Sequence, residues 1–376
     1  MNIIELILTD YTLRVVSLGS IFLGIISGVL GSFAVIRKQS LLGDAVSHSA
    51  LPGIALAFIL TGTKRTEVLL LGALISGLIS TYIILGISKY SRIKFDSALA
   101  LVLSVFFGFG IVLLTYIQKI PKANQAGLDK FIFGQASTLL RRDVQIMGIL
   151  GVILIAMVII FWKEFKLVSF DADYAESLGF STSRINTLLF AMIVVAIIVG
   201  LQTVGVILMS AMLTAPGVAA RQWTDKLSVM VFLAALFGAI SGFVGTVLSS
   251  LISKLPTGPM IVIVISVIVI ISLTLAPNRG LIWKYIRDKK NQREINEDQV
   301  LMNLYHLALN HKDLDHSHDI AIIKPKAKSN KAIKHLVSKL ESLESRELAK
   351  RDYFNKWAIT DQGLNYVKDY FKKEED

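Results

Sequence analysis

The sequence predicts an all-α polytopic membrane bundle of about nine transmembrane helices, followed by a small cytoplasmic α+β domain. Three observations carry that reading. The chain is 53% hydrophobic with a mean hydropathy of +0.62, more apolar side chain than a soluble domain can hide. The apolar residues come in long runs free of charge, as lipid-facing segments require. After Arg279 the composition turns abruptly polar and charged.

Stretches long enough to cross a bilayer lie at 14–36, 42–61, 66–88, 96–117, 143–162, 183–201, 203–220, 227–250 and 258–276. Each is close to the roughly 20 residues that a spanning helix needs. The second holds Pro52-Gly53 and the seventh Pro216-Gly217, so both are expected to be broken or kinked. Irregular backbone at membrane depth survives only inside protein or along a wet cavity, which makes both breaks candidate path-lining positions. Gly24 with Gly28, and Gly238 with Gly242, stand at the small-xxx-small spacing that lets helices pack closely.

If nine spans alternate, Arg37-Lys38, Lys89–Lys94, Lys163–Arg184, Arg221–Lys226 and everything after Arg279 share one side. That side is the more basic, hence cytoplasmic; the N-terminus is then outside and the C-terminal domain inside. The 119–142 segment sits awkwardly, since it carries five Lys and Arg residues yet falls outside. Within it, FIFGQASTLL reads as a short helix or re-entrant piece on the outer face. The start, MNIIELILTDYTLR, has no basic region before its apolar stretch and no small-residue cleavage site, so the first span is expected to act as its own insertion signal. The net charge of +11 follows from retained basic loops against anionic lipid better than from nucleic-acid binding. No cysteine is present, which excludes disulfides and thiolate metal sites.

The domain division falls at about 285, giving 1–285 for the membrane part and 286–376 for the soluble part. The latter predicts amphipathic helices near 295–310, 329–347 and 361–372, with a hairpin in LAKRDYFNKWAIT. His311, His316 and His318 lie in HKDLDHSHD, the richest cluster of metal-ligand types in the chain, and are candidates for cytoplasmic metal sensing; a solvated loop is the alternative.

Ionisable residues within membrane spans are costly and usually functional, and here they are scarce. The second span contains Asp44 and His48, the latter being the sole histidine of the first 300 residues. They stand at i and i+4 on one helical face, about 6 Å apart in rise. Oxygen and nitrogen donors together suit manganese, zinc or ferrous iron. The competing reading has Asp44 capping the helix and His48 as a buried packing residue. In either case Ser47 and Ser49 are placed to hydrogen-bond a neighbouring helix. The loop at 168–185 can hold a short surface helix with Asp171 or Asp173 at its start and Gly179 as its stop, a docking element for a soluble partner. No G-x-x-x-x-G-K-[ST] loop occurs, so ATP, if used, is bound by another chain.

Four ordered stretches, LLGDAVSHSALPGIALAF (41–58), FDADYAESLGFSTSRIN (170–186), LQTVGVILMSAMLTAPGVAARQWT (201–224) and SKLPTGPMIVI (253–263), resemble the membrane permeases of bacterial ABC importers for manganese, zinc and related metals. The resemblance covers about residues 10–280. It implies a second permease copy (identical or related) with the path at the interface, two cytoplasmic ATPase subunits, and an external metal-binding protein. It implies that Asp44 and His48 meet the transported ion. It likewise implies that Asp173, Ala175, Leu178 and Gly179 belong to the ATPase-coupling helix, and that Pro52, Thr214, Pro216 and Gly217 lie near the path. No cofactor is resident; the divalent metal is cargo. The C-terminal region departs from that pattern. LESRELAKRDYFNKWAITDQGLNYVKDY resembles the end of a winged-helix domain of metal-dependent repressors, which inclines the cargo towards manganese. A dimerising or ATPase-facing appendix is favoured over DNA binding, because Glu341, Glu344 and Glu347 dilute the basic face.

The expected mechanism is alternating access, with metal held more weakly as acid protonates the imidazole. Two rival readings are a membrane-bound sensor whose soluble domain binds DNA, and a gradient-driven transporter. The second would require more membrane-embedded carboxylates than the bundle has.

Overall fold

Lipid offers no partner for a backbone N–H or C=O, so each spanning segment closes its hydrogen bonds within itself and becomes helix. The computed structural model describes residues 10–119, 134, 139–251, 255–311, 317–323, 330–352 and 355–375. The chain divides into two units, Met1–Leu281 and Ile282–Asp376. In the first, α1 (Tyr11–Ile36), α2 (Leu42–Thr61), α3 (Thr66–Tyr90), α4 (Phe95–Gln118) and α5 (Arg141–Ile160) precede two short helices, α6 (Trp162–Phe170) and α7 (Ala172–Ser177). Then come α8 (Thr182–Val204), α9 (Val206–Trp223), α10 (Leu227–Leu251) and α11 (Thr257–Leu275).

Among the described residues, eight of these helices are long and apolar enough to cross a membrane. The exception is α9, 18 residues ending in Arg221-Gln222-Trp223, which corresponds to the 203–220 stretch. It nevertheless lies deep in the bundle, with Val206, Met209, Met212 and Leu213 fully buried. Polar contacts show which helix ends share a face. Arg37 after α1 donates to Asn186 at the start of α8 (2.7 Å). Arg142 and Glu67 pair the starts of α5 and α3 (3.5 Å), and Gln202 near the end of α8 donates to Asp143 at 3.2 Å. Arg279 after α11 meets Asp225 between α9 and α10 at 2.6 Å. The helices therefore alternate in direction, α9 included, and one face collects Arg37, Arg92, Lys94, Lys163, Arg221 and Arg279.

The centre of the bundle is the crossing of α1 and α10. A Cβ added to Gly24 would fall 2.1 Å from the Gly238 carbonyl oxygen, and one on Gly28 2.3 Å from that of Ala234. The seam is backbone on backbone, which only small residues permit. Thr246 donates to Ser20 across it (3.2 Å).

Of the break or kink expected at the two prolines, a break is not found: α2 and α9 run continuously through Pro52 and Pro216. Proline removes the N–H that would meet the carbonyl four residues back, which at Pro52 is His48 O; one residue further on, the Ser76 hydroxyl of α3 donates to Ser49 O at 2.6 Å. The break occurs instead at Gly205, whose φ of 87° suits glycine and turns the chain from α8 into α9. Most of FIFGQASTLL lies outside the described residues.

The second unit contains α12 (Leu281–His311), α13 (Ile320–Ile323), α14 (Asn330–Ser345), the strands β1 (Ala349–Arg351) and β2 (Trp357–Ile359), and α15 (Asp361–Glu375). The strands pair antiparallel with Lys350 opposite Ala358, and the other edge of β2 pairs with His318 through Trp357. Leu301, Leu304, Leu340, Leu343 and Trp357 form its core. The amphipathic repeat and hairpin expected from the sequence are thus present.

Candidate functional site

Asp44 and His48 enter the structure in the first two turns of α2. Leu41 occupies the cap position and no side chain caps this helix, so Asp44 is not spent on backbone N–H groups. Its Oδ1 lies 3.3 Å from His48 Nε2, with side-chain exposures of 39% and 18% respectively. The His48 ring meets Phe107 of α4 edge-on, centroids 4.7 Å apart. Gly110, one turn further along α4, permits this approach, since a Cβ there would come within 2.9 Å of Leu51. His48 Nδ1 is buried and has no hydrogen-bond partner. A buried polar atom without a partner is costly, and a site that takes up an ion supplies one intermittently.

Among the described residues no cluster of three or more His, Cys, Asp or Glu side chains is assembled. At this place Asp44 and His48 are two candidate donors, fewer than a divalent transition metal takes up. By helix rise, Asp44 and His48 lie about 3 and 9 Å from the start of α2, towards the basic face of the bundle. Ser47 and Ser49, expected to bond a neighbouring helix, instead donate to Gly43 O and Ala45 O of their own helix (2.7 and 2.6 Å). Carbonyls one turn back are the nearest acceptors in an apolar wall.

Pro52, Pro216 and Gly217 are buried and Thr214 half-buried. Thr214 donates to Ser210 O at 2.9 Å. A Cβ on Gly43 would reach Leu213 at 3.0 Å and Ser210 at 3.3 Å, so α9 lies directly against the turn that carries Asp44. Pro52 faces the other way, into a cavity of 530 Å³ between α2, α3 and α4. Its one polar side chain, Ser76, is committed to Ser49. That cavity cannot solvate a cation.

The loop at 168–185 holds the short capped helix that the sequence indicated. Asp171 caps α7, accepting from Tyr174 N at 2.9 Å. Gly179, at φ 86°, ends the helix: Phe180 N donates to Ala175 O and Gly179 N to Glu176 O, a Schellman closure. Ala175 is fully buried while Tyr174 and Leu178 stand 54% and 53% exposed; Asp173 is exposed as well. Behind it, Phe165 and Trp162 of α6 pack edge-on against Phe33 of α1 at 5.9 and 6.0 Å. Arg37, at the end of α1, lies over Phe190 of α8. Burial pushes its guanidinium down to about 10, so it stays charged near neutral pH. Sequence reading missed Phe33, Phe107, Arg37 and Ser76. Their partners are 27 to 153 residues away or unmarked by type, although an arginine directly after an apolar run was a usable signal.

Of the three histidines in 311–319, His316 lies outside the described residues, as does the side chain of His311, whose backbone ends α12. His318 is 4% exposed, and its backbone exchanges hydrogen bonds with Trp357 at 2.8 and 2.9 Å. Its ring belongs to the core and is reached by an ion only if that core opens.

A family model described as the ABC 3 transport family matches residues 9–276. The zinc transport system membrane protein TroC of Treponema pallidum is 52% identical over 290 residues, spanning 77% of this chain and 97% of that protein. The manganese transport system membrane protein MntC of Bacillus subtilis is 42% identical over 347 residues, spanning 92% of this chain and 78% of that protein. A match of that length runs into the second unit. Among solved structures, PsaBC from Streptococcus pneumoniae in complex with Fab superposes with a TM-score of 0.66 at 30% identity, over 76% of this chain and 98% of that one. From the family match and the two relatives together, the chain belongs to the ABC 3 transport family.

Proposed function

We propose that this chain is the permease of an ATP-driven importer carrying a divalent transition-metal cation, manganese in preference to zinc or iron, across the bacterial cytoplasmic membrane. The observation that carries the reading is the Asp44–His48 pair: two donors 3.3 Å apart, one with a buried unpartnered nitrogen. A two-donor site is incomplete alone. A second permease copy placing its own pair opposite would complete a four-donor set, loose enough to release the ion.

The basic face is assigned to the cytoplasm, which puts the N-terminus outside and the second unit inside. There α7 offers Asp173, Tyr174 and Leu178 to an ATPase subunit. A push on α7 has a contiguous route to the metal pair: α6, its ring contacts to Phe33 of α1, the Arg37–Asn186 link, and the short turn into α2. Thr214, Pro216 and Gly217 on α9 line the moving side, and Pro52 stands one turn beyond His48 on α2. An external metal-binding protein delivers the ion at the opposite face.

The preference for manganese rests on the match to the Bacillus protein running into the second unit. The order of helix, paired edge residue, two helices and hairpin in that unit supports a winged-helix reading, with a protein partner rather than nucleic acid. ATP-dependent uptake of radioactive manganese and zinc in competition, in vesicles holding the complex, tests the proposal. Saturable uptake of manganese resisting excess zinc is expected. Uptake of neither metal by an intact complex overturns the cargo assignment.

A further inference from the structure

At the opposite face from α7, helices α1 and α5 run parallel and leave a groove of about 1040 Å³ between them. Its walls are two stripes at helical spacing, Val15, Leu18 and Phe22 on α1 and Ile149, Val152 and Ile153 on α5. Polar side chains occur only at the mouth, where Arg14 and Arg141 stand with Tyr11 and Gln145. From mouth to floor the stripes run from Tyr11 to Phe22 and from Arg141 to Ile153, about 17 Å of helix rise. That is close to one leaflet of a hydrocarbon core about 30 Å thick.

The two arginines at the mouth stand without an ion pair: among the described residues neither Arg14 nor Arg141 forms one, whereas the adjacent Arg142 is held by Glu67. The nearby carboxylates are engaged: Asp10 accepts from Thr12 N and Leu13 N, and Asp143 from Leu140 N and Gln202. Helices α1 and α5 both begin here, with Asp10 and Asp143 meeting part of their N-terminal N–H groups. Two free arginines above an apolar groove match an occupant that is anionic at one end and apolar for about one leaflet.

We propose that this groove binds an anionic phospholipid, its phosphate between Arg14 and Arg141 and one acyl chain along the α1–α5 walls. Arginine suits phosphate through paired N–H donors. Because α1 also carries Phe33, the aromatic anchor of α6, a lipid seated here braces the helix that links both faces. The inference stands whichever metal is carried.

The test uses the full-length chain in nanodiscs of equal phosphatidylglycerol and phosphatidylcholine, with retained lipid counted by native mass spectrometry. Enrichment of phosphatidylglycerol is expected. It should fall about fivefold in Arg14→Gln or Arg141→Gln and about thirtyfold in the double variant, while Arg142→Gln leaves it unchanged. Gly148→Leu, which fills the groove with both arginines intact, should expel the lipid; the exposed arginine variants decide the matter if it misfolds. Equal retention of the two lipids, or enrichment indifferent to the arginines, overturns the proposal. Thermal stabilisation by inorganic phosphate equal to that by phosphatidylglycerol overturns it in favour of a small-anion site. Because the chain has no cysteine, Val152→Cys provides a clean last arm: full cross-linking between copies would show a second chain, not lipid, covering the groove.

Discussion

Helices α2 and α11 invert what a soluble protein would lead one to expect. Of the eight crossing helices, α2 is the least apolar, yet 72% of its apolar window is buried; α11 is the most apolar, and 22% is buried. In water the ranking would be reversed. In lipid the solvent is as apolar as leucine, so hydrophobicity does not draw a helix inward. Small residues and groups needing hydrogen bonds do, which is why Gly43, Asp44, Ser47, His48, Ser49 and Gly53 all sit on α2. The Asp44–His48 pair lies on the least apolar of these helices.

Substitutions can break that contrast, the largest effect first. Gly24→Leu places a side chain into the Gly238 backbone and should cost about 3 kcal/mol or more, read as a collapse of the thermal midpoint in detergent. A tolerated leucine would show that the α1–α10 seam is not tight. On α2, Asp44→Ala and His48→Ala should lower ATP-dependent metal uptake at least about 100-fold with the bundle still folded. Unchanged uptake would remove the pair from the path. Asp171→Ala, which uncaps α7, should cost about 1 kcal/mol locally and reduce ATPase stimulation without altering metal affinity. Ser76→Ala removes the hydrogen bond from α3 to Ser49 O of α2, with an expected loss of about 1 kcal/mol. Ile270→Val on the exposed side of α11 should change stability by less than about 0.5 kcal/mol; a larger loss would mean that this face is covered in the working assembly.

Much of this was legible in the residues. Uncharged runs marked the helices because bilayer thickness sets their length. The glycine pairs of α1 and α10 marked a seam, where Gly24 meets Gly238 while Gly28 and Gly242 lie against Ala234 and Ser20. Asp171 and Gly179 marked the ends of α7 because capping and positive φ are local chemistry. The prolines did not break their helices: each removes one N–H from the ladder, and the packed neighbours hold the rest of the helix in place. Gly205 was passed over since a lone glycine inside an apolar stretch has no local mark of a corner.

The sequence by itself determined that the chain is helical and membrane-spanning, that its basic loops share a face, and that Asp44 and His48 stand on one side of α2. These follow from period, length and charge, which each segment carries alone. Only the tertiary structure decided that Phe107 abuts His48, that Nδ1 is left without a partner, that Arg37 joins α1 to α8, and that Arg14 and Arg141 crown one groove. Those pairings join residues far apart in the chain, and within lipid their choice rests on shape and hydrogen bonding between helices, which no single segment encodes.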